Sequence, residues 1–180
     1  MTKRNSLLLL LTLLMFFSCE NAPKEIVSEN EPFFHTTDPS RLYFKNTRGH
    51  KYNSIPQRDT RIDYYYLKMM DEEQPIFPII ANNWLAEEAY ILLKQSAQLP
   101  SDTLTIALTG KEKKDTLSLP FIARTEKYDF CRMLYTKSRS GYDIQLFSSQ
   151  KEWIPIFKDD TEKNHFQEVM RDYFRLTEQI

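Results

Sequence analysis

The chain has 180 residues, 41% hydrophobic and 13% aromatic, with 24 Lys and Arg against 25 Asp and Glu. That is enough for one domain with a real core. The near-neutral charge leaves no basic face for nucleic acid. With only 3 glycines, low-complexity and phosphate-loop chains are excluded as well.

Residues 1–18 have the layout of an export signal. Lys3 and Arg4 give a positive start, Ser6 to Phe17 form an uncharged apolar run, and Ser18 offers a small residue before Cys19. The run is shorter than the ~20 residues that cross a bilayer, so a removed signal is expected rather than a retained span. An uncleaved signal anchor, or cleavage without lipid, is the alternative. Removing this leader takes out two basic residues and no acidic one, so the net charge moves from −1 to −3.

Phe16-Phe17-Ser18-Cys19 resembles the lipobox of bacterial lipoproteins. Ser18 and Cys19 fit the pattern, while Phe16 and Phe17 stand where Leu and a small or β-branched residue are usual. The resemblance covers the leader alone. It implies a Cys19 acylated with palmitate-type chains, a bilayer as partner, and a cell-envelope address at the outer membrane rather than the inner. With Cys19 acylated, Cys131 has no disulfide partner. It then reads as a buried thiol within the strand-like run Tyr128–Tyr135.

Residues 19–40 are polar, contain three prolines and lack a hydrophobic period, which predicts a tether. Phe33-Phe34 is its one apolar spot, a docking point on the domain. A single globular domain is expected over residues 41–180.

Arg41–Asn46 predicts a short aromatic strand, and 53–59 a loop around Pro56. Within 61–70, helical and strand spacings both fit, and the tyrosine triplet at 64–66 favours strand. Pro78 predicts an edge or irregular segment over 75–80. Asn82 or Asn83 could cap a helix through Gln95, with a strand over 89–94 as the competing reading. Thr103–Thr109 and Asp115–Leu119 alternate around a charged turn and predict a hairpin. A second hairpin is expected from strands over 128–136 and 142–148, and Glu152–Phe157 adds an edge strand. The last element predicts a helix with a D-x-x-E start at Asp159 and Glu162. Its buried stripe is Phe166, Val169, Met170, Tyr173, Phe174 and Thr177, and its outer pairs are Glu168–Arg171 and Asp172–Arg175. The fold class expected is α+β: an antiparallel sheet or small β-sandwich with a C-terminal helix packed on it.

No catalytic set is legible. His35, His50 and His165 lack ligand spacing, so neither a metal nor a cofactor is expected. Ser148-Ser149-Gln150-Lys151 matches an S-x-x-K pattern without its companion elements. Asp71-Glu72-Glu73, Glu87-Glu88 and Asp159-Asp160 read as solvated or capping acids rather than an acid–base pair. Tyr43, Tyr52, Tyr64 and Tyr66 are the candidate platform for a ligand, with core packing as the competing use of these rings. These features point to a membrane-tethered, non-enzymatic module that binds an envelope protein or glycan. The alternative is a small periplasmic enzyme or inhibitor whose site assembles only in three dimensions.

Overall fold

The computed structural model describes residues 34–70, 73–100, 103–110, 114–120 and 123–180. The leader, Cys19 and the tether up to residue 33 lie outside these residues, as do Asp71 and Glu72.

The chain packs onto the domain from Phe34, seven residues before the expected boundary at Arg41. His35 forms an antiparallel bridge with Glu88. The backbone bonds Thr36 N to Glu87 O (2.6 Å) and Ala89 N to Phe34 O (2.8 Å) flank that bridge. The Phe34 ring lies 5.2 Å from Tyr90 and 5.8 Å from Tyr128, the docking expected of it.

The predicted strand over 41–46 is instead helix α1, Asp38–Tyr43, continued by a π turn over Phe44–Arg48 and a 3₁₀ turn over Gly49–Lys51. The cause is local. Thr37 and Ser40 cap each other reciprocally, and Pro39 sits in the first turn, where its missing N–H costs nothing.

The first sheet runs in chain order through β1 (Tyr52–Gln57), β2 (Ile62–Leu67), β3 (Ile76–Asn83) and β4 (Glu88–Gln95), all antiparallel. Three expectations change here. The loop around Pro56 is the edge strand β1, a position where proline's missing donor is tolerated. The segment holding Pro78 is an interior strand, but the β2–β3 ladder stops at Tyr65↔Ile80, so Pro78 has a partner strand on one side only, opposite Leu93. The slightly preferred helix after Asn83 is β4. Asn83 does cap, but it caps a turn: its Oδ1 accepts from Ala86 N at 3.1 Å.

The second sheet has the order β6–β5–β7–β8, with β5 at Thr103–Thr109, β6 at Lys114–Pro120, β7 at Asp143–Phe147 and β8 at Trp153–Pro155. The first predicted hairpin forms, and β8 takes the edge. Between β6 and β7 the chain forms helix α2, Arg124–Arg139, where a strand over 128–136 was expected. Tyr128, Cys131, Leu134, Tyr135 and Ser138 are all buried at helical spacing. Cys131 is buried as expected, though on a helix, and burial pushes its thiol pKa well up.

Helix α3, Asp160–Leu176, starts where predicted. Asp159 accepts from Glu162 N at 2.9 Å, while Glu162 reaches back to Lys158 N at 2.6 Å. All six residues of its predicted stripe are buried. Tyr173 donates to the Ala89 carbonyl at 3.3 Å, which seats the helix on the first sheet. Rings of Tyr128 with Tyr173 and of Tyr135 with Phe174 join α2 to α3. One hydrophobic cluster runs from Ile80 and Ile91 through α3 and α2 to Leu104, Ile106 and Leu146. The fold is mixed α+β: two antiparallel four-stranded sheets with helices, the last one C-terminal.

Candidate functional site

Strand alternation divides the tyrosine triplet of β2. Tyr65 faces inward in a row with Ser54, Ile80 and Ile91. Tyr64 and Tyr66 face outward. Tyr64 lies in a row with Ile55, Ala81 and Tyr90, and Tyr66 stands opposite Asn53.

The outward rows, together with Leu93 of β4, make an open groove of about 560 Å³, lined also by Asn53, Ile55, Tyr66, Ile79, Leu92 and Lys94. Its volume lies in the range of small-ligand sites. The floor is aliphatic, Tyr66 adds a ring, and Asn53 on β1 and Lys94 on β4 bring polar atoms from opposite edges of the sheet. Ile55 is 51% exposed, on an edge strand whose remaining residues are exposed apart from Tyr52.

The inward side differs in every respect. Phe44, Tyr52 and Tyr65 form a ring cluster with centroids 5.0 to 6.4 Å apart. Burial, reinforced by Asp63, raises the Tyr65 pKa to about 12. Tyr52 is 3% exposed, and its hydroxyl donates to Asp172 Oδ2 at 2.7 Å. Arg48 Nε donates to Asp172 Oδ1 at 2.7 Å. Arg48 and Lys51 also meet Glu168. Glu168 and Asp172 therefore hold the segment before β1 against α3, and Asp172, with no solvent exposure, does not lie on the outer side where its pair with Arg175 was expected. Partial burial works against the Glu168 carboxylate, but hydrogen bonds from Lys51 and Arg48 outweigh it and lower its pKa.

Of the four candidate tyrosines, Tyr64 and Tyr66 share the outer face. Tyr52 is in the core, and Tyr43 is 48% exposed on α1. Asn53, Ile55, Ile79, Leu92 and Lys94 were missed because 53–59 read as a loop, 75–80 as an edge or irregular segment, and the stretch after Asn83 as a helix. The legible signal was the alternation of Asn53 and Ile55 with Tyr52 and Ser54.

The other clusters stay apart. His35 sits in the bridge to β4, His50 in the 3₁₀ turn and His165 on α3. Among the described residues no group of three His, Cys, Asp or Glu side chains could hold a metal ion. Ser148 and Lys151 belong to a tight turn closed by Lys151 N to Ser148 O at 3.0 Å. A second hollow, about 490 Å³, collects Tyr142, Asp143, Asp159, Asp160 and Lys163 at the start of α3. Asp159 is used there as a cap, and Asp160 pairs with Lys163.

No family model, curated protein or solved structure matches this chain. Among the described residues, no helix is long and apolar enough to cross a membrane.

Proposed function

We propose that this chain is an envelope lipoprotein, anchored through Cys19, that works as a non-enzymatic binding module and receives a protein ligand on the outer face of β1–β4. The observation that carries the reading is the open groove with Ile55, Ile79 and Leu92 on its floor. Aliphatic walls of this kind complement the apolar side chains of a polypeptide. A glycan calls for a broad aromatic surface with many hydrogen-bonding groups, and Tyr64 and Tyr66 alone make a small one. The edge position of β1 adds exposed backbone beside the groove, the arrangement used when a peptide strand extends a sheet. The leader and its terminal cysteine support the envelope address.

Photocrosslinking in intact envelopes tests the binding face. A photoreactive residue at position 55 gives a discrete adduct, whereas one at Leu117, exposed on the second sheet, gives none. Identical adduct patterns from both positions, or none from 55, refute the assignment. The anchor is tested separately: Cys19→Ala releases the protein from the membrane fraction, and full retention refutes acylation.

An enzymatic reading draws on the hollow that brings Tyr142 and Asp143 beside Asp159. It ranks second because Asp159 and Asp160 are already engaged locally, which leaves no second carboxylate for acid–base work.

A further inference from the structure

We propose that the turn between β3 and β4 rests on the bilayer surface, with Trp84 and Leu85 seated at the depth of the lipid headgroups. The inference rests on the anchored reading above and adds a second contact to it.

Trp84 is 48% and Leu85 59% exposed, side by side at the tip of the turn. Across from them, the turn joining β1 to β2 places the Arg61 guanidinium 5.9 Å from the Trp84 ring centre. An indole with a guanidinium over its face is amphipathic at both partners. Such side chains settle where hydrocarbon meets water.

The occupant follows from where the chain arrives. The segment leading back to Cys19 reaches the domain at Phe34–Thr36, bonded to Glu87, Glu88 and Ala89, directly after this turn. The fifteen residues from Cys19 to Phe34 can reach at most roughly 50 Å. An acylated Cys19 therefore brings this end of the sheet to the membrane first. The Asn53, Tyr66, Ile79 and Leu92 row of the groove lies four residues further along β3, about 13 Å above the turn. Arg41, Arg58 and Arg61 are outnumbered locally by Asp38, Asp59, Asp63, Glu87 and Glu88, so the surface has no excess positive charge for anionic headgroups. The contact is apolar, weak by itself and made effective by the tether's high local concentration.

The test uses the two tryptophans in turn. Processed protein purified from its own envelope and carrying Trp153→Phe, reconstituted in phosphatidylethanolamine vesicles doped with brominated phospholipid, reports on Trp84 alone. Trp84→Phe reports on Trp153. The expected result is flotation of both proteins with the vesicles, with Trp84 emission quenched and shifted to the blue and Trp153 emission unchanged. Leu85→Asp, checked for an unaltered circular dichroism spectrum, reduces the quenching and leaves flotation intact. Flotation with Trp84 unquenched, or with both tryptophans quenched alike, overturns this inference and spares the anchor. Shielding of Trp84 only after envelope protein is added also overturns it, by assigning the turn to a protein. Failure to float overturns the anchor and this inference together.

Discussion

Strand β2 builds two unlike faces from three consecutive tyrosines. On the inner side, Tyr65 meets Phe44 and Tyr52 in a ring cluster backed by a carboxylate with no solvent exposure. On the outer side, Tyr66 lines an open aliphatic groove and Tyr64 stands in the neighbouring row. Side-chain chemistry is identical at the three positions, so location alone assigns the roles. All three rings are half-buried; Tyr65 is held by ring packing against Phe44 and Tyr52, whereas Tyr66 stands beside the groove. A one-residue register slip would exchange the roles, and the buried Tyr52–Asp172 bond is what makes that slip costly.

The largest break in this contrast is Asp172→Ala. It takes the shared acceptor from the buried Tyr52 hydroxyl and from the part-exposed Arg48, which keeps Glu168, a loss of about 2–4 kcal/mol. Denaturant melts would show that loss; a change under about 1 kcal/mol would mean the network is not structural. Next comes the tyrosine pair itself. Tyr65→Ala, which breaks the ring cluster with Phe44 and Tyr52, should lower stability by about 1–3 kcal/mol, while Tyr66→Ala, which loses the one ring contact with Phe77, should cost about 1 kcal/mol and act on ligand capture. Equal losses from the two variants would erase the distinction between the faces.

The smallest effect is electrostatic. The Glu168 carboxylate has a lowered pKa in the folded state, so its stabilisation is complete above the usual glutamate value and is lost as pH falls through the folded value. Glu168→Gln should therefore cost roughly 1 kcal/mol at neutral pH, since the pair is partly exposed, and flatten the acid side of the stability profile. A variant that is less stable by the same amount at pH 3 and pH 7 would contradict this.

What was legible in the chain follows from the range of the forces involved. Helix α3 was readable because its cap and its stripe, Phe166 to Thr177, lie within one segment. The β5–β6 hairpin was readable for the same reason. Helix α2 was misread because Tyr128, Phe130, Cys131 and Tyr135 are residues that favour strands, and that composition masked a 3.6-residue period. Tertiary packing on α3 decides in favour of the helix. The groove was half legible: Tyr64 and Tyr66 stood out as aromatic, but Ile79 and Leu92 reach it only through strand pairing. The Arg48–Asp172 pair spans 124 positions and left no local trace.

The bonds at Phe34–Thr36 also have a mechanical meaning. In a chain held by its N-terminus, any pull between membrane and ligand enters at Phe34 and is borne first by the bridge to β4. Behind it, Thr37 is bonded to Glu178, and Ser40 Oγ donates to the Leu176 carbonyl at 2.8 Å. Load that strips the bridge passes next into the end of α3, the most deeply packed helix, before it reaches β1. The domain is thus fitted with two clasps in series, the first on β4, the second on the end of α3.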